Sequence, residues 1–181
     1  MITYGMMSRA MILLNHWVND SGTFEYDTWI GGGTLIRTLR DAPDKTVVDL
    51  DVVVSTPDFG PVCAILQARG WKRFDGSPMP TMRLEGQSGQ GHLRRFPLVE
   101  VAAYPGAGRE HLLAHLSTYD IRACSLVLGR VDNEPTLIEG YPGALADVYA
   151  GRVHIERPTA DTPKRVRKYR ALFSLPDRET V

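Results

Sequence analysis

Apolar residues recur at helical spacing near the start of the chain. Met7, Ala10, Met11, Leu14, Trp17 and Val18 share one face, which predicts a packed helix over 8–18. The turn-rich "NDSG" (19–22) ends it. "TWIGGG" (28–33) reads as a short strand running into a glycine turn, with a short helix over 35–39 after it and "DAPDK" (41–45) as a loop. "TVVDLDVVV" (46–54) is β-branched, with aspartates at alternate positions, so Asp49 and Asp51 project from one face of a strand while Leu50, Val52 and Val54 pack on the other.

Further along, "GPVCAILQARG" (60–70) predicts a helix closed by Gly70, and "WKRF" (71–74) a short strand. "EGQSGQG" (85–91) reads as a mobile loop, and "HLRRFPLVEVAAY" (92–104) as strands broken near Pro97. "REHLLAHL" (109–116) is a short helix; "DIRACSLVLG" (120–129) fits a strand or a buried helix equally, and "TLIEG" (136–140) a strand fragment. "PGALADVYAG" (142–151) places proline early and glycine late in a helix. In the last helix Thr162 suits the N-cap and Pro163 the first turn, ahead of a stripe of Val166, Tyr169 and Phe173.

Length and composition narrow the class without choosing a function. The chain has 181 residues, enough for one domain that needs no staples, and its 43% hydrophobic and 23% charged content is that of a soluble globular protein. Lys and Arg together number 21 and so do Asp and Glu, so any attraction to nucleic acid or membrane must be local. Cys63 and Cys124, far apart and in apolar company, fit reduced core thiols and a cytoplasmic setting better than a disulfide framework. Arg9 interrupts the short apolar run at the start, which argues against a signal peptide, and no stretch reaches the roughly 18 apolar residues of a membrane span.

Three signals carry chemistry. Asp49 and Asp51 lie roughly 6–7 Å apart on one strand face, where two carboxylates need a cation; Mg2+, which prefers oxygen ligands and substrate phosphates, suits them. Glu100, alternating with Val99 and Val101, is the candidate third acid for two ions flanking a phosphoryl displacement. Gly31, Gly32 and Gly33, opening a helix, would let backbone N–H groups approach a triphosphate. Singly, a glycine triplet is usually a turn and D-x-D a solvated edge; their order and spacing together favour a site.

In that order the motifs resemble the DNA polymerase beta-type nucleotidyltransferase superfamily, and within it the head domain of tRNA CCA-adding enzymes and bacterial poly(A) polymerases. The matching segments are "GGG" (31–33), "DLD" (49–51) and "VEVAAY" (99–104), with looser similarity in "YDIRACSLVL", "YPGALADVYAGRVHI" and "TPKRVRKYRALF". The resemblance implies an α/β (α+β) fold, a mixed sheet flanked by helices. It also implies two Mg2+ ions (Mn2+ as an alternative), an NTP donor, Asp49 and Asp51 as metal ligands, and Glu100 as the third carboxylate that activates or orients a hydroxyl.

The chain departs from the family pattern in several places. Arg37 falls one residue late after the glycines, "TYDIRA" stands where CCA enzymes have "DFTINA", and the gap from glycines to aspartates is long. The sequence also ends soon after its basic helix, without the helical domains that hold tRNA, so a standalone CCA-adding enzyme is not expected.

Residues 1–160 are expected to form the core and 161–181 a basic helix packed on it. Residues 151–181 hold eight Lys/Arg against four Asp/Glu. Arg165 and Lys168, three apart, would reach one phosphate site. Asp120 and Arg122 are either ribose and phosphate contacts or a structural pair. His111 and His115 form no zinc signature, and Arg94 and Arg95 fit an exposed strand better than a nucleic-acid contact. The expected activity is transfer of NMP from an NTP to a hydroxyl, with an RNA (tRNA-like) 3′ end ahead of a protein or small-molecule acceptor. The rival is a non-catalytic nucleotide- or RNA-binding module on the same fold.

Overall fold

A computed structural model of the chain describes residues 4–40, 49–73, 81–86 and 98–174. The "DAPDK" loop, Thr46 to Val48 of the strand run, most of the glycine-glutamine loop with Arg94 and Arg95, and the end of the basic tail lie outside the described residues. Helix α1 (Tyr4–Ser21) leads into β1 (Thr28–Gly31), α2 (Gly32–Arg40), β2 (Asp49–Ser55), α3 (Thr56–Ala68) and β3 (Trp71–Arg73). Strands β4 (Thr81–Gly86) and β5 (Leu98–Tyr104), α4 (Gly108–Leu116), a 3-10 turn (Arg122–Ser125), β6 (Leu126–Val131) and β7 (Glu134–Glu139) follow. Helices α5 (Ala144–Ala150) and α6 (Thr162–Leu172) complete the described chain. No helix among the described residues is long and apolar enough to cross a membrane.

The strands form one mixed seven-stranded sheet in the order β3-β4-β5-β2-β1-β6-β7. Among the described strands β2 and β5 run parallel, and every other neighbouring pair is antiparallel. A parallel pair needs a crossover, and α3 with the β3–β4 hairpin supplies it between β2 and β5.

Period-2 alternation assigns the central strands to two cores. Leu50, Val52 and Val54 of β2 and Val99 and Val101 of β5 enter the main core with Ile30, the stripe of α1 and the buried face of α2. On the reverse face Val53, Tyr104 and Trp29 join Leu112 and Leu116 of α4 in a smaller cluster. Asp49, Asp51 and Glu100 share that reverse face but lie toward the starts of their strands, away from the residues that α4 packs against.

Four local readings shift. In α1 the buried stripe is Ala10, Leu13, Leu14 and Trp17, while Met11 is 39% exposed; the i, i+3, i+4, i+7 series that starts at Ala10 leaves Met11 off the face. Trp17 anchors the helix by donating its indole N–H to Thr28 Oγ1 at 2.8 Å. Helix α3 begins at Thr56, before "GPVCAILQARG", because Ser55 caps it by accepting from the Asp58 N–H at 3.2 Å. "DIRACSLVLG" divides into the 3-10 turn and β6. Thr162 is the first helical residue of α6, not its cap, since its hydroxyl accepts from Thr159 N–H and donates to Asp120.

Candidate active site

Strand register brings the sequence-distant acids together. Asp51 pairs with Glu100 across the parallel β2–β5 ladder and with Gly31 across the antiparallel β1–β2 ladder. Neighbouring strands lie about 4.8 Å apart, so Asp51 sits between a backbone with no side chain and a second carboxylate on its own face. The glycine is what leaves this face open beside the aspartate.

The turn after β1 is shaped around the same carboxylate. Gly32 adopts φ +63°, the left-handed region that other residues enter at a cost, and a methyl group added there would overlap the Asp51 carboxylate. The next backbone N–H, of Gly33, donates to Asp51. Glycine at 32 therefore lets the start of α2 close over an acid, where the partial positive charge of a helix N-terminus favours it.

A cleft of about 300 Å3 opens at this point. Gly31, Gly32, Asp51 and Glu100 form one side, and Arg165 and Lys168 reach it from α6. Tyr119, Cys124 and Tyr169 complete its apolar and aromatic lining. Asp49 does not line the cleft, yet its charge acts on Asp51. Arg37, on α2, does not line it either.

The electrostatics centre on Asp51. Burial, then the negative charges of Asp49 and Glu100, push its pKa up to about 6, against the opposing pull of Lys168 and the Gly33 hydrogen bond. Among the described residues no three His, Cys, Asp or Glu side chains are gathered closely enough to share an ion. The donor chemistry nevertheless fits a hard divalent cation: oxygen ligands only, on one strand face, with more negative charge than Lys168 balances. The tyrosine and cysteine side chains of the lining are held neutral. Burial raises the Tyr119 hydroxyl and the Cys124 thiol each to about 12, and the Tyr169 hydroxyl, bonded to Cys124, is raised as well.

Asp120 and Arg122 are neither paired with each other nor placed along the cleft. Asp120 is 1% exposed; its carboxylate accepts from Thr162 Oγ1 at 2.7 Å and from Arg165 Nη1 at 2.9 Å. Arg122 donates to Glu156 and lies 3.7 Å from the buried Asp147, whose oxygens also meet Arg152 and His154. His115 leans edge-on against Tyr119, and among the described residues neither it nor His111 belongs to a group of three or more potential metal ligands. The sequence reading missed Tyr119, Cys124 and Tyr169 as lining residues. Tyr119 and Cys124 flank the "DIRA" run already singled out, and Tyr169 had been assigned to the apolar stripe it also belongs to.

A mixed sheet with acids in register on its central parallel pair, and a glycine turn opening a helix beside them, defines the nucleotidyltransferase fold. More particularly, the structure matches the nucleotidyltransferase head region of CCA-adding enzymes over nearly its whole length. The Thermotoga maritima CCA-adding enzyme, solved in complex with tRNA, superposes with a TM-score of 0.66 at 15% identity, over 99% of this chain and 42% of that one. An apo CCA-adding enzyme gives a TM-score of 0.67 at 14% identity, over 99% and 43%. A tRNA nucleotidyltransferase bound to a primer tRNA and an incoming ATP analog gives 0.56 at 20% identity, over 82% and 42%. The chain thus spans about two-fifths of these proteins, 42% or 43% of their length. No protein-family model matches the sequence, and no curated protein does.

Proposed function

We propose that this protein is a metal-dependent nucleotidyltransferase that moves NMP from an NTP to a hydroxyl acceptor, foremost an RNA (tRNA-like) 3′ end. The observation that carries the reading is the register: Asp51 between Gly31 and Glu100, facing Arg165 and Lys168 across one cleft. Acids alone would repel a triphosphate and cations alone would not organise a displacement; the cleft has both.

Asp49 and Asp51, with Glu100, would hold Mg2+ or Mn2+. When bound, such ions supply charge neutralisation at the phosphoryl oxygens and at the leaving pyrophosphate. Lys168 and Arg165 bind and orient the triphosphate, as charge-assisted donors do. The N-terminus of α2 adds its partial positive charge at the glycine turn. Glu100, on the strand next to Asp51, accepts the proton of the attacking hydroxyl or orients it. Tyr119 and Tyr169 offer an uncharged wall for the rest of the nucleotide. The exposed Lys164 and Arg167 on α6 suit the phosphates of an RNA acceptor. The solved tRNA complexes that share the fold point the same way.

One observation favours a second reading, a nucleotide-binding module without turnover: the acids are not gathered tightly enough to share an ion as they stand. Label transfer separates the two. α-Labelled NTPs are incubated with Mg2+ or Mn2+ and with total RNA or cell protein, using the wild type and an Asp49→Ala, Asp51→Ala double variant. Transfer is expected into RNA, abolished in the variant and by chelation with EDTA. NTP binding without transfer to any pool would favour the module, and transfer that persists in the variant would move the site elsewhere.

A further inference from the structure

The basic helix presents two cations to the cleft, and the fold treats them differently. Lys168 reaches it as an exposed ammonium whose charge is felt at Asp51. Arg165 is tied down. Its Nη1 donates to Asp120 Oδ1 at 2.9 Å, and Asp120 has no exposed side-chain surface while the Arg165 side chain is 49% exposed.

Asp120 is itself fixed from several directions. Its second oxygen accepts from Thr162 at the start of α6. Its backbone carbonyl accepts from Glu156 N–H at 2.7 Å, and next to it Ile121 bridges Ile155. A carboxylate held on both oxygens and at its backbone has no freedom to follow Arg165, so the arginine conforms to the aspartate.

We infer that Asp120 is a positioning residue, which acts on the nucleotide through Arg165 by holding one edge of its guanidinium so that the others face the cleft. The inference rests on the nucleotidyltransferase reading. Its consequence is a division of labour. Asp120 cancels the net charge of Arg165, which then contributes directed hydrogen bonds in a fixed fork. Lys168 contributes most of the net positive charge opposite the acids. Directed bonds from a held fork are geometry-dependent and weakly screened, whereas an exposed ammonium acts as a point charge that salt screens.

The test is a double-mutant cycle on NTP affinity, read by calorimetry of the whole chain at low and high salt without an acceptor. Asp120→Asn keeps the shape but turns an amide toward the guanidinium. It should weaken NTP binding roughly tenfold, about as much as Arg165→Ala does, and the double variant should be no weaker than either single one. Arg165→Lys, which keeps the charge, should also lose most of that affinity; it probes the same claim should Asp120→Asn fail to fold. The Lys168→Ala loss should shrink at high salt and the Arg165→Ala loss persist. Val166→Ala, which loosens α6 from the core without touching these groups, should lower the Tm and leave NTP affinity within about twofold.

Losses that add in the double variant, full affinity in Arg165→Lys, or a loss in Val166→Ala equal to that in Asp120→Asn would each overturn the positioning role. A wild-type protein that binds NTP while Asp120→Asn binds it equally well overturns this inference alone. A wild-type protein that binds no NTP overturns the nucleotidyltransferase reading along with it.

Discussion

At the scale of single residues, the site depends on a backbone position that only glycine fills. Gly32 holds φ +63°, and a methyl there meets the Asp51 carboxylate. Gly32→Ala is therefore expected to cost about 1–3 kcal/mol of stability, measured by urea unfolding, and to abolish nucleotidyl transfer in the fraction that still folds. The neighbouring Gly33 has no such conflict: an added methyl meets only Lys168, at 3.7 Å or more, so Gly33→Ala should remain folded. Equal unfolding costs at the two positions would contradict the argument from Gly32's conformation.

At the scale of elements, α6 and α2 are fastened by polar groups whose removal has a sign. Burial alone would raise the Asp120 pKa, but the hydrogen bonds from Thr162 and Arg165 and the Arg165 charge outweigh it and hold the carboxyl below its usual range. Its folded pKa lies below the unfolded value of about 3.9, so its contribution is complete above that value and fades as pH falls through the lower folded one. Stability followed by denaturant melts should thus decline on acidification in this window, and the decline should be shallower in Asp120→Asn. A slope identical in both proteins would exclude the pair as its source.

Arg40 fastens the other side of the helical layer. It donates to Val148 O at 2.7 Å and Tyr149 O at 3.3 Å, and its guanidinium lies 4.9 Å from the centre of the Phe173 ring. It thus ties α2 to the end of α5 and to the residue that follows α6. Arg40→Ala should lose about 1–3 kcal/mol in unfolding and increase amide exchange at the end of α6. Unchanged exchange there would mean that the core stripe of Val166 and Tyr169 alone seats the helix.

At the scale of the molecule, what the sequence revealed follows the range of the interactions. Strand β2 was legible because alternation is local: Leu50, Val52 and Val54 in, Asp49 and Asp51 out. The glycine turn and the basic helix carried equally local signals. Strand β4 was not recognised, since its assignment comes from pairing with β3 and β5 and not from its own pattern. The pairing of Asp120 was also beyond reach, because its partner Arg165 lies 45 positions away and spacing does not tell which cation a buried acid will meet. Arg122, two residues from Asp120, is held instead by Glu156 and Asp147. Asp120 and Arg122 thus do not pair with each other, and neither lines the cleft.

The measurement that bears most directly on the central claim is the fate of the label from α- and γ-labelled NTP with Mg2+ and RNA, for the wild type and Asp51→Asn. α-Label is expected to enter the RNA and γ-label to appear in pyrophosphate, and both to be lost in the variant. γ-Label in the acceptor, γ-label released only as inorganic phosphate, or α-label transfer unchanged in Asp51→Asn would contradict it.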